Sequence, residues 1–133
     1  MKNVDIAKAY IKDAEIILEE ARESFQKGYY HRTVRKCQES VELALKGLLS
    51  LKGIEYPKLH KIGKVLVDVL VGDIDPIIVQ KAADISDQLA IDREPSFYGS
   101  EDTPAEKLFD EEDARDVIEK AESVMVFVLN LLK

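Results

Sequence analysis

An all-α fold, an antiparallel bundle of about five helices, is the architecture this sequence predicts. Apolar residues recur at spacings of three and four along several long segments, as in helices that bury one face. No segment alternates apolar and polar residues over more than a few positions, so no strand is predicted. The 6 Gly and 4 Pro are sparse punctuation that falls almost entirely between the periodic segments.

The first helix is expected to start near Asn3 or Asp5, either a fair N-cap, with Ile6, Tyr10, Ala14, Ile17, Ala21 and Phe25 as its apolar stripe. Gly28 is expected to end it in the left-handed conformation that favours glycine. A second helix runs from about Tyr29 to Lys52, with Val34, Cys37, Val41, Leu45 and Leu48 on its apolar face. Gly53 closes it, and Ile54 to Leu59, with Pro57, reads as a loop. A shorter third helix covers about His60 to Val71 and ends before Gly72. Asp75-Pro76 supplies an N-cap followed by proline at the first helical position, which starts a fourth helix carrying Ile78, Ala82, Ile85 and Leu89. That helix is expected to end before Pro95, because proline inside a helix removes a hydrogen bond and clashes with the preceding turn.

From Arg93 to Phe109 the periodicity lapses, and Pro95, Gly99, Ser100 and Pro104 mark a long loop of the kind that is often functional or mobile. Within it, Thr103 to Glu106 reads as a capping box for a single turn. The last helix is expected to start at Asp110, with Glu111, Glu112 and Asp113 at its positive dipole end and Ala114, Val117, Ala121, Val124, Val128 and Leu131 as its stripe. No period of 20–50 residues repeats and no stretch is of low complexity.

A length of 133 residues suits one domain, and 46% hydrophobic residues suffice for a core. The net charge of -7 argues against sequence-independent nucleic-acid binding as the main task, since phosphates would be repelled. The charge is uneven: residues 1–67 hold 13 Lys+Arg against 9 Asp+Glu, whereas residues 68–133 hold 6 against 17. Such asymmetry either steers association or reflects solvated helix faces of different sign. One cysteine excludes an internal disulfide and suits a reducing compartment. The longest apolar run, Val124 to Leu129, cannot span a bilayer, and the first residues lack the apolar core of a signal peptide. A cytoplasmic protein without membrane attachment is the expectation.

Most chemical constellations are absent. The sequence has no phosphate-binding glycine loop, no nucleophile elbow and no Cys-x-x-Cys, and its two histidines, His31 and His60, stand far apart. No metal and no cofactor is therefore expected, and the run Asp110 to Asp113 reads as a charged first helical turn. Cys37 lies on an apolar stripe more than a turn from His31 and Arg32, so it reads as a buried structural thiol. Gln38, Glu42 and Lys46 form a polar strip beside that stripe, either an ordinary surface pair or one wall of a cleft. Lys27, His31, Arg32, Arg35 and Lys36 make the one basic cluster, next to Tyr29 and Tyr30, which either stack on a base or pack as a helix-start staple.

Tyr29-Tyr30, the run from Cys37-Gln38 through Glu42 and Lys46 to Leu49, a glycine-containing turn and Leu59-His60-Lys61-Ile62 together resemble the HEPN family, named for higher eukaryotes and prokaryotes nucleotide-binding. Its second helix reads roughly as a small residue, then Gln, Ala, Glu, Ala and Lys at every second position, followed by a turn and a histidine that opens the third helix. Arg93-Glu94-Pro95-Ser96-Phe97-Tyr98-Gly99 resembles the family's segment after helix four, and Glu112-Asp113-Ala114 with Ala121 its last helix. The resemblance implies a single HEPN-like helical domain over residues 1–133, an isologous homodimer, and a small nucleotidyltransferase as partner in a toxin–antitoxin or nucleotide-handling pair. One branch of the family comprises metal-independent ribonucleases carrying Arg, four to six residues, then His at the dimer cleft. Arg93 matches the arginine, but positions 98, 99 and 100 are Tyr, Gly and Ser, so the expected general acid/base is missing.

A non-catalytic dimeric subunit that binds a nucleotide, RNA or a partner nucleotidyltransferase is the expectation, with no catalytic residue assigned. Glu42, Lys46, His60, Arg93 and Tyr98 are the candidate cleft residues. Arg93 either holds a phosphate while Tyr98 covers it or pairs with Glu42; His60 either faces the cleft or hydrogen-bonds the backbone at its helix start. The alternatives are a ribonuclease in which Tyr98 or His60 replaces the missing histidine, and a structural dimerisation module without ligand.

Overall fold

The computed structural model describes residues 3–56 and 62–132. They contain six helices and, among the described residues, no strand: α1 (Asn3–Gln26), α2 (Tyr30–Leu51), α3 (Gly63–Leu70), α4 (Pro76–Tyr98), α5 (Ala105–Leu108) and α6 (Glu111–Leu131). The count exceeds five because the single turn α5 stands as an element of its own.

α1 and α2 form a tight antiparallel hairpin. Gly28, at φ +78, lets the Tyr29 N–H reach the Ser24 carbonyl (2.9 Å) and the Gly28 N–H the Phe25 carbonyl (3.0 Å), which satisfies two orphan carbonyls of α1. Gly53 repeats the device at the end of α2, with Ile54 bonded to Leu49 and Gly53 to Ser50. The stripe that α1 buries is Ala7, Ile11, Ala14, Leu18 and Ala21: Ala14 and Ala21 are as expected, Ala7, Ile11 and Leu18 stand one residue on from the expected Ile6, Tyr10 and Ile17, and those three and Phe25 are half-buried. The reason lies in α2: a Cβ on Gly47 would stand 2.9 Å from the Ala7 carbonyl oxygen and 2.8 Å from Ile11 Cγ1, so the backbones meet where α1 offers small residues. Buried Ser40 fastens the same contact, its hydroxyl donating to the Ala14 carbonyl at 2.7 Å.

α6 packs back onto α2 and α1, α4 lies against α2, and α3 against α4. Val34, Leu45, Leu48, Leu66, Leu89 and Val124 are among the side chains these contacts bury. The expected face of α6 is buried except Leu131, which is half-buried; on α4, Ile78 faces solvent at 50% exposure while Ala82, Ile85 and Leu89 are buried. Asp75 caps α4, accepting from the Ile77 N–H at 2.9 Å, as the Asp-Pro pair implied.

Two boundaries differ from expectation. α4 does not stop before Pro95 but continues to Tyr98. Proline so close to a helix end forgoes only the bond to the carbonyl of Ile91, itself an exposed residue. The Ser96 hydroxyl donates to the Arg93 carbonyl (3.1 Å), and the Gly99 N–H to the Pro95 carbonyl (2.9 Å), so the last turn closes. Thr103 forms no capping box: its hydroxyl donates to the Asp102 carboxylate, and α5 starts after Pro104 without a side-chain cap. The reciprocal box belongs to α6, where the Asp113 N–H donates to Asp110 Oδ1 (2.8 Å) and the Asp110 N–H to Asp113 Oδ2 (3.0 Å). α3 begins at Gly63, whose N–H donates to Asp87 Oδ1 of α4 at 3.0 Å; the expected start at His60 lies outside the described residues.

No described helix is long and apolar enough to cross a membrane. Cys37 is fully buried, as expected, and burial pushes its thiol up to about 12.

Candidate functional site

Because α2 and α4 lie side by side and α4 runs on past Pro95, an open cleft of about 770 Å³ forms between the first half of α2 and the last two turns of α4. From α2 come Arg35, Gln38, Glu39 and Glu42, whose spacing puts them on one helix face. From α4 come Arg93 and Glu94 and, one turn later, Phe97 and Tyr98.

The Arg35 guanidinium lies flat over the Phe97 ring, Cζ 3.5 Å from its centroid, while its Nε is 3.2 Å from Glu39 Oε1. Stacking on the ring and pairing with the carboxylate hold this arginine in one orientation. Phe97 and Tyr98 sit with ring centroids 4.4 Å apart, tilted by 34°, and Tyr98 is 73% exposed. Two aromatic faces and two guanidinium groups thus border one cavity. The phenol of Tyr56, half-buried in the stretch after α2, is raised above the ordinary tyrosine range, first by burial and then by the Glu42 charge, with Arg93 lowering it. Glu42 and Arg93 therefore act on the same hydroxyl, although no direct ion pair joins them among the described residues.

Of the five candidate cleft residues, Glu42, Arg93 and Tyr98 meet at this cleft, with Gln38 of the polar strip beside them. Tyr98 stands on the last turn of α4 and not on the loop that follows it. Lys46 does not join them: its Nζ lies 5.0 Å from the centroid of the Tyr10 ring on α1. Eight residues along a helix of 3.6 per turn rotate a side chain by about 80°, which carries Lys46 away from Gln38 toward α1. His60 lies outside the described residues.

Arg35, Phe97 and Tyr56 were not among the candidates. Arg35 had a usable signal, since it stands seven residues before Glu42 on the same face. Phe97 needed α4 to be continuous through Pro95, and Tyr56 has no periodic context at all. The basic cluster is dispersed: Lys36 pairs with Glu20 at 3.3 Å and Arg35 turns into the cleft. Tyr30 packs on Phe25, ring centroids 5.7 Å apart, in the helix-start role. Among the described residues, no three His, Cys, Asp or Glu side chains are grouped to hold a metal ion.

The HEPN domain family matches residues 7–131. A protein of Methanocaldococcus jannaschii named "Putative toxin MJ1304" is 28% identical over 140 residues, a match covering 98% of this chain and 91% of that one. The crystal structure of TT1696 from Thermus thermophilus superposes with a TM-score of 0.68 at 25% identity, over 93% of this chain and 96% of the other. That of ST0689, an archaeal HEPN homologue, does so with a TM-score of 0.70 at 32% identity, over 96% and 98%.

Proposed function

The chain belongs to the HEPN family, and on that premise we propose that it is a non-catalytic, dimeric subunit of a toxin–antitoxin-like module whose α2–α4 cleft binds a nucleotide. One observation carries the reading: two arginines and two adjacent aromatic rings border a single open cleft. An arginine fork suits a phosphate, and exposed rings suit a base. The resemblance of the M. jannaschii protein, named "Putative toxin MJ1304", supports the module, and the partner implied by the family is a small nucleotidyltransferase.

The charges narrow the ligand. Arg35 and Arg93 share the cleft with Glu39, Glu42 and Glu94, so it is no sink for dense negative charge. A nucleoside monophosphate, which needs one fork and one stacking face, fits this balance better than a triphosphate. Calorimetric titration with adenosine and guanosine mono- and triphosphates tests it. Binding of a monophosphate is expected, weakened by Arg93→Ala and by Tyr98→Ala at about 1–3 kcal/mol each. No binding of any of these nucleotides, or binding that both substitutions leave unchanged, would reject the reading.

A further inference from the structure

Among the described residues the buried polar side chains are Thr33, Gln38, Ser40, Ser86 and Ser96. The hydroxyls of Thr33, Ser40 and Ser96 each donate to a backbone carbonyl. Gln38 is 5% exposed, and no hydrogen bond joins its amide to a described residue. Ser86 has no such bond either, but it stands outside the cleft between α2 and α4, whereas Gln38 lines it. Among these residues no side-chain nitrogen or oxygen is both sealed from solvent and unbonded, so the Gln38 amide opens onto the cleft. A carboxamide beside an apolar stripe costs about 1–3 kcal/mol when its donors and acceptor go unmatched, and a ligand that matches them recovers that cost.

Glu42 stands one turn on from Gln38, on the same face of α2 and in the same cleft. Among the described residues no ion pair takes its carboxylate, whereas Glu39 is held by Arg35 at 3.2 Å and Glu94 is exposed beside Arg93. α2 therefore offers the cleft an amide donor and, one turn later, a carboxylate acceptor. A nucleotide whose phosphate meets Arg93 and whose ring stacks on Tyr98 still has its base edge to satisfy. Along that edge guanine presents an acceptor, O6, and then two donors, N1–H and the N2 amine. Adenine presents a donor, the N6 amine, and then an acceptor, N1. A carboxamide can turn to suit either edge, so Gln38 alone discriminates little. Glu42 decides, because a carboxylate only accepts: it bonds the two guanine donors and faces the adenine N1 lone pair with its own.

We propose that Gln38 and Glu42 make this cleft selective for guanine over adenine, the Gln38 amide donating to O6 and the Glu42 carboxylate accepting from N1–H and the N2 amine. The inference rests on the nucleotide reading of the cleft given above and adds the base that it takes. Gln38 is buried in the interior of α2, so its amide is placed before a ligand arrives. Hydrogen bonds to an ionised acceptor are the stronger kind, which gives the Glu42 contact the larger share of the discrimination.

Calorimetric titration of the full chain with guanosine, inosine and adenosine monophosphates tests it, with circular dichroism to monitor folding. The three ligands share sugar and phosphate, so their differences report the base alone. Guanosine monophosphate is expected to bind most tightly. The inosine compound, which lacks the N2 amine, should bind about tenfold more weakly, and the adenosine compound more weakly still. Glu42→Gln is expected to bring the guanosine and adenosine compounds within about threefold of each other, because its amide can donate to adenine N1. Gln38→Glu with Glu42→Gln keeps the net charge but exchanges donor and acceptor, and is expected to favour adenine. Should that pair fail to fold, Glu42→Gln alone decides. Equal affinity for guanosine and adenosine monophosphates in the wild type, with Arg93→Ala weakening both, would overturn the base selection and leave the nucleotide reading standing. A guanine preference that Glu42→Gln preserves would overturn the assignment to these residues. No binding of any of the three would overturn both readings together.

Discussion

Replacing Gly47 by alanine sets two effects of known size against each other. In an isolated helix the change stabilises by about 1 kcal/mol, because glycine is the costlier residue in a helix interior. In this bundle the new methyl group would stand 2.8 Å from Ile11 Cγ1, 3.2 Å from Ile11 Cδ1 and 2.9 Å from the Ala7 carbonyl oxygen. Ile11 is 2% exposed and cannot swing into solvent, and the Ala7 carbonyl belongs to the α1 backbone. The two helices must therefore separate by several tenths of an ångström along their longest contact, and overpacking of this kind costs about 1–3 kcal/mol. Offset by the propensity gain, the net loss expected is about 0–2 kcal/mol, seen in urea unfolding as a lower midpoint with an unchanged slope. Ile11→Ala on its own is destabilising, but in the double variant the clash with its side chain disappears, so the two changes together should cost less than their sum by about 1 kcal/mol. A Gly47→Ala protein more stable than the wild type would show that α1 has slack, and would refute the close contact that fixes the register of the hairpin.

Three further outcomes are expected. Cys37 has its thiol pushed from 9.0 to about 12 by burial and the Glu122 charge, with Arg22 opposing, so the stability it lends is complete below pH 9.0 and lost as the pH rises toward 12. Cys37→Ala should accordingly lose less stability than the wild type across that alkaline window, and the native thiol should resist Ellman's reagent at neutral pH. Asp110→Ala opens the reciprocal box at the start of α6 and should cost about 1 kcal/mol by thermal unfolding, with no effect on nucleotide titration. Purified protein in EDTA should not cleave RNA above background, because no histidine follows Arg93 at the required spacing; cleavage abolished by Arg93→Ala would reverse this and point to Tyr98 or His60.

The helices were legible because their apolar spacings are long and the caps between them chemically plain: Gly28, Gly53, Asp75 and Asp110 all act where the sequence placed them. The face of α1 was misjudged by one residue because two apolar rows run side by side. Bulky Ile6 and Tyr10 outweigh Ala7 on sequence alone, and only Gly47 on the opposite helix, which packs against Ala7 and Ile11, decides for the other row. Pro95 misled for a related reason: its penalty depends on whether the orphaned carbonyl faces water and whether the next turn can close, which are properties of the fold. Glu42, Arg93 and Tyr98 were found through the family pattern. Lys46 was carried along by a strip whose helical drift eight residues later exceeds a cleft's width. Tyr56 carries no local signal because its position depends on how the chain leaves α2.

Continuity of α4 through Pro95 changes what the cleft can do. A tyrosine on a mobile loop would close over a ligand, and binding would have to order that loop. On the last turn of a helix, beside the Phe97 ring on which Arg35 stacks, Tyr98 is instead part of a wall that exists before any ligand arrives. Preorganisation lowers the entropic cost of binding, yet the three glutamates deny the cleft any long-range pull on phosphates. Recognition would then depend on short-range stacking and fork contacts, so that base identity and a single phosphate matter more than total charge.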